Sequence, residues 1–157
     1  MVRDSGFSLI ELITVLAIVS ILMLIAAIPI RAYMDANGFA NDAQSVRDDL
    51  VFAHERVVSE AAAGHVYGIA FVNGSNSYVI FEDDPSNVVR TITMDDALID
   101  TAQCTDADTE TTSATCSFYA RGSATAGTVE VRQSGSSRCS LYTISPLTGR
   151  VDDGACV

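Results

Sequence analysis

Glu11 is the one charge in the apolar run from Phe7 to Ile30. A carboxylate in a low-dielectric segment is costly unless something positive meets it, so such a group marks a function. No other residue set assembles a reaction centre. His54 and His65 are the two histidines; His54 lies beside a helical stripe and His65 opens a strand. Many serines and two histidines do not make a triad without geometry that brings them together. Asp106-Ala107-Asp108-Thr109-Glu110 places oxygens at alternate positions, as a calcium loop does. It lacks the glycine and the distal bidentate glutamate of an EF-hand. Asn73-Gly74-Ser75 fits a glycosylation sequon, and Asn-Gly is better explained as a hairpin turn. The reading is therefore no enzyme, no metal and no cofactor.

The 157 residues carry a formal charge of −11 and no lysine; all nine basic residues are arginine. So acidic a chain does not attract nucleic acid as a whole. The charge is uneven. Residues 82–110 hold nine acids against Arg90, whereas 121–150 hold Arg121, Arg132, Arg138 and Arg150 against Glu130. The four cysteines, Cys104, Cys116, Cys139 and Cys156, match no compact zinc spacing. Behind a membrane-targeting segment they read as two disulfides formed in an oxidising compartment. Three pairings are open. The sequential one, Cys104 with Cys116 and Cys139 with Cys156, is preferred, and each bridge is worth about 3 kcal/mol in the chain-entropy model.

The elements that position these groups are legible in part. Residues 12–30 are uncharged and long enough to span a bilayer as a helix. No small-residue cleavage site follows them; the small residue at a junction is Gly6, in front of the apolar core. From Arg31 the chain turns amphipathic. Phe39, Ala43, Val46, Leu50, Ala53 and Val57 recur at helical steps, with Asn41, Asp42, Gln44, Arg47, Asp48, Asp49, Glu55 and Arg56 on the wet side. The helix is expected over 7–63, about 85 Å, ending at Gly64, with a kink at Pro29 and a weak point at Gly38. After Gly64 the period changes to two. Strands are expected over 65–72, 77–81, 88–94, 116–121, 128–133 and 139–145, with a short edge at Val151. Residues 101–115 show no core pattern and read as an exposed, disulfide-tied loop. The fold class is α+β, a long helix whose C-terminal half packs on antiparallel sheets.

Gly6-Phe7-Ser8-Leu9-Ile10-Glu11 followed by Leu12 to Ile30 closely resembles the class III signal of type IV pilins and type II secretion pseudopilins. The marks Phe118-Tyr119-Ala120-Arg121-Gly122, the strand at Thr128, and Leu141 to Ser145 running into Leu147-Thr148-Gly149-Arg150-Val151 resemble the GspH/FimT group within that superfamily. The resemblance implies a pilin-like fold divided into a leader (1–6), a transmembrane and filament-core helix (7–30) whose apolar half protrudes, an amphipathic helix (31–63) and a β head (64–157). It implies cleavage between Gly6 and Phe7 by a prepilin peptidase and N-methylation of Phe7. Glu11 then neutralises the Phe7 ammonium of a neighbouring subunit, and Pro29 stands near the usual helix-breaking proline. The implied partners are other pilin or pseudopilin subunits, the peptidase, the inner-membrane assembly platform and, before assembly, the membrane itself. The implied location is the inner membrane, single pass with the head outside the cytoplasm, and afterwards a pilus or pseudopilus. Within the group the expected role is that of a minor subunit. The alternatives are a major pilin, a DNA-binding minor pilin using Arg121, Arg132, Arg138 and Arg150, and an anchored domain that never polymerises.

Overall fold

The computed structural model describes residues 8–60, 64–106 and 110–156. Gly6, Phe7 and the middle of the acidic loop, 107–109, lie outside them. The chain divides into two compact units, Met1–Asn37 and Gly38–Val157.

Helix α1 runs from Leu9 to Ser59. The backbone is helical through Pro29 and Gly38, so the helix does not melt at either residue, although a proline removes one backbone donor. At the N-terminus, Ser8 stands where an N-cap residue stands. Its carbonyl accepts the N–H of Glu11 (3.0 Å) and of Leu12 (3.2 Å).

In the second unit, the helical stripe read from the sequence is the buried one. Phe39 and Ala43 are nearly inaccessible, and Val46, Leu50, Ala53 and Val57 are fully so. Among the described residues nine strands follow the helix, and every pairing is antiparallel. β1 (Tyr67–Phe71), β2 (Ser77–Glu82), β3 (Val88–Thr93) and β6 (Thr115–Phe118) form a sheet in the order β3-β2-β1-β6. β4 (Ala97–Thr105), β5 (Thr112–Ser113), β7 (Ala126–Gln133), β8 (Cys139–Ile144) and β9 (Val151–Gly154) form the other, in the order β5-β4-β7-β8-β9. The stripe and the inner residues of both sheets make one continuous core. Each sheet also sends one tyrosine hydroxyl to the helix. Tyr78 of β2 donates to Asp49 Oδ2 (2.7 Å), and Tyr142 of β8 donates to the Ala43 carbonyl (2.7 Å).

Two expectations are corrected here. Asp49 is buried rather than wet; the Tyr78 hydroxyl and, at 3.7 Å, the Arg90 guanidinium supply the partners that a buried carboxylate needs. Burial and the carboxylate together push the Tyr78 phenol up. Asp42 is half-buried too, accepting the backbone N–H of Asp96 at 2.8 Å. The second correction concerns 101–115. Its first five residues complete β4, a strand flanked by β5 and β7, and Thr112–Ser113 form β5. Ala97 and Ile99 point inward, and so do Ala102 and Cys104. A register shift between Ile99 and Thr101 reverses the parity between the two pairs. The alternation that identifies a strand is broken at that point.

Two disulfides join Cys104 to Cys116 and Cys139 to Cys156. The first links β4 of one sheet to β6 of the other. Its strand neighbour Gly127 lies opposite Cys104. A Cβ there would stand 2.5 Å from Cys104 Sγ and 2.8 Å from Cys104 Cα, so only glycine admits the bridge at this spacing. The second disulfide ties the C-terminal segment to β8. Asn73 and Gly74 are the central pair of a turn closed by Ser75 N–H on the Val72 carbonyl (3.0 Å), and the Asn73 side-chain oxygen accepts the Ala102 N–H (2.9 Å). This supports the turn reading of Asn-Gly: the side chain links the hairpin to β4.

Candidate functional site

Two regions hold the residues expected to act. The first is the N-terminal unit. Its large apolar side chains from Leu9 to Ile25 are all exposed, at every angle around the helix. A helix apolar all round is one that other apolar matter surrounds. The polar residues inside the run satisfy themselves locally. Thr14 Oγ1 donates to the Glu11 carbonyl (2.9 Å) and Ser20 Oγ to the Leu16 carbonyl (2.7 Å). Glu11 is the exception. Its carboxylate is exposed in the first turn, at the N3 position of a Ser-x-x-Glu spacing that begins at Ser8. Among the described residues no helix is long and apolar enough to cross a membrane.

The second region is where the two C-terminal marks meet. The Tyr119–Gly122 turn closes through Gly122 N–H on the Tyr119 carbonyl (2.8 Å), and the Ser145–Gly149 turn through Gly149 N–H on the Ser145 carbonyl (2.9 Å). Ala124 N–H to the Pro146 carbonyl (3.0 Å) joins them. Both turns close over His54 of α1. Its ring lies 6.0 Å from Phe118, and a Cβ on Gly149 would come within 2.4 Å of it. His54 is thus a structural histidine, and each turn over it carries a glycine: Gly122 and Gly149 have positive φ, and at Gly149 the His54 ring leaves no room for a side chain.

These turns bring Arg121 and Arg150 to one end of the head, both exposed. Arg150 pairs with Asp152 (2.7 Å). Arg132 and Arg138 belong to the other end of the β7–β8 pair. From the Arg132↔Cys139 rung to the Gly127↔Ile144 rung is five residues, about 17 Å. Arg132 is held by Glu130 (2.7 Å) and Asp100 (2.9 Å), whereas Arg138 is exposed in the connecting turn. The four arginines therefore form two separate pairs. Near the first, Tyr119 donates to Asp106 (2.9 Å), which ties the start of the acidic loop to the Arg121 turn.

A group that sequence reading passed over lies at the open end of the β1–β2 hairpin. His65 Nδ1 meets Asp83 Oδ2 at 2.8 Å and Glu82 Oε1 at 3.4 Å. The signal was the register: Tyr67 opposite Glu82 places His65 beside Asp83. The hydrogen bond and charge of Asp83 raise the His65 pKa above the ordinary 6.5. The Val66 N–H, then His65, lowers the Asp83 carboxyl below 3.8. A raised histidine pKa means that the contribution to stability is complete below pH 6.5 and is lost as pH rises through the folded value. A chemical-shift titration of the His65 ring should give a midpoint above 6.5 that returns towards it in Asp83→Asn. An unchanged midpoint would show that the pair does not form.

A helix whose buried stripe docks on two antiparallel sheets, preceded in the same helix by an exposed apolar stretch with one carboxylate, defines a protein of the pilin fold. The chain belongs to the GspH family. Residues 35–148 match the Type II transport protein GspH, and residues 1–27 match the prokaryotic N-terminal methylation motif. Among solved structures it is similar to the crystal structure of the type IV minor pilin FimU from Pseudomonas aeruginosa, with a TM-score of 0.55 and 18% identity over 78% of this chain and 92% of that one. No curated protein matches it in sequence.

Proposed function

We propose that this protein is a non-enzymatic minor subunit of a type IV pilus or type II secretion pseudopilus. The observation that carries the reading is the union in one chain of an N-terminal methylation motif over 1–27 with a GspH head over 35–148. A prepilin peptidase cuts between Gly6 and Phe7 and methylates the new Phe7 amine. Residues 7–30 hold the subunit in the inner membrane, with the disulfide-bonded head outside the cytoplasm. On assembly, neighbouring helices replace lipid around Leu9 to Ile25, and Glu11 neutralises the Phe7 ammonium of an adjacent subunit; Pro29 eases helix extension in the filament. The other subunits and the assembly platform are its partners. The role of a minor subunit rests on the likeness to FimU, and its abundance in purified filaments separates it from a major pilin. Mass spectrometry of the mature protein should find an N-methylated Phe7 terminus. An intact Met1 would overturn the reading in favour of an anchored domain that does not polymerise.

A second reading, nucleic-acid contact, draws on the two turns that bring Arg121 and Arg150 to one end of the head. Phosphate contacts there weaken as salt rises. Arg121→Ala with Arg150→Ala should cut DNA affinity on the order of tenfold at low salt, the two phosphate contacts being lost together. Failure of the wild-type chain to shift DNA at low salt would exclude this role, with or without Arg132 and Arg138.

A further inference from the structure

We propose that His65, Glu82 and Asp83 form a binding site for a divalent transition-metal ion of the zinc class, at the open end of the β1–β2 hairpin. Three donors of the kinds that zinc takes converge there: an imidazole nitrogen and two carboxylate oxygens, all within 4.8 Å of one another. Tetrahedral ligands at about 2.0–2.2 Å from the ion stand about 3.4 Å apart. His65 Nδ1 and Glu82 Oε1 already stand at 3.4 Å, and His65 Nδ1 and Asp83 Oδ2 at 2.8 Å. The second distance needs to open by about half an ångström, a small side-chain rotation for exposed groups.

The backbone beneath the three is fixed. Val66 and Asp83 pair reciprocally: the Asp83 N–H donates to the Val66 carbonyl at 2.7 Å, and the Val66 N–H donates to Asp83 Oδ1 at 3.0 Å. That leaves Oδ2 turned towards the imidazole. Asp83 adopts a left-handed φ of 63°, a conformation that aspartate takes more readily than most residues with a side chain. Glu82 is held by Asn87: its N–H donates to the Asn87 carbonyl at 3.2 Å, and its carbonyl accepts the Asn87 side-chain amide Nδ2–H at 3.1 Å. The nearby carboxylate of Glu60 is engaged by the Tyr67 hydroxyl (3.0 Å) and Arg56 (2.7 Å), so it supports the site from outside rather than competing for the ion. Two carboxylates balance the charge of a divalent cation, and the imidazole favours a transition metal over calcium or magnesium. Water completes the coordination.

The cysteines leave this site without a thiolate competitor. All are in disulfides, including Cys139 and Cys156 beside Glu130, the other group of donors that lie this close together among the described residues.

The test is calorimetric titration of Zn²⁺ into the full-length, oxidised chain in detergent, with the His65 ring resonances followed by NMR. Expected are one ion per chain, loss of the free-ring signal at His65 and not at His54, and a rise in melting temperature. His65→Ala and Asp83→Asn, each checked for an unchanged fold by circular dichroism, should weaken binding at least tenfold. Absence of Zn²⁺ binding would overturn the assignment. So would affinity unchanged in either variant, or Ca²⁺ binding as tight as Zn²⁺ and insensitive to His65→Ala.

Discussion

Glu11→Ala is expected to leave cleavage after Gly6 intact and to lower incorporation into filaments by at least an order of magnitude. The size of the effect distinguishes two roles for the same carboxylate. As a first-turn acid in a Ser8-x-x-Glu11 spacing, it stabilises the helix N-terminus by about 0.3–1 kcal/mol, too little to stop assembly. As the partner of a buried ammonium it matters far more, because removing one member of a buried pair costs about 3–5 kcal/mol. Glu11→Gln keeps the shape and a hydrogen-bonding end while removing the charge, so it should fail nearly as badly. Immunoblots of sheared filaments against the membrane pool, with the processed form identified by its mass, make the comparison. Wild-type incorporation of either variant would dismiss the proposed salt pair.

Leu50→Ala should destabilise the head by about 2–5 kcal/mol, the range for emptying a filled core site. Leu50 is fully inaccessible and lies mid-stripe, between Val46 and Ala53, which are equally buried. Against a total stability of about 5–15 kcal/mol, that loss moves a urea midpoint far to the left. Phe52, two residues on, is 45% exposed, and Phe52→Ala should shift the midpoint by no more than about 0.5 kcal/mol equivalent. Equal effects at the two positions would mean that the helix face is wrongly assigned.

The residues that sequence reading placed well are those whose role is set by local periodicity. The stripe from Phe39 to Val57 recurs every three or four residues, and no arrangement of a helix against a sheet buries a different face. The Asn73-Gly74 turn needs a positive φ at Gly74, which is 78°, and that requirement is written in two adjacent residues. Reading failed where the period itself breaks. Strand β4 was missed because the irregularity between Ile99 and Thr101 changes which side chains face inward, and because Ala102 and Cys104 contribute little bulk to a pattern.

The candidate groups divide along the same line. Glu11 stands out from the chain alone, because one charge among apolar residues contrasts with its own neighbours. The four arginines share a stretch of sequence and yet occupy opposite ends of the β7–β8 pair, since strand rise separates what sequence proximity groups. Asp49 shows neither its burial nor its Tyr78 partner until β2 is laid across α1. His65 meets Glu82 and Asp83 through hairpin register, across seventeen and eighteen positions of chain. Helix periodicity, turn chemistry and the apolar N-terminus were therefore determined by the sequence itself, because each depends on neighbours within a few residues. The sheet order, the partners of buried carboxylates and the convergence of two loops on His54 were decided by the tertiary structure, because each depends on which distant backbone lies alongside.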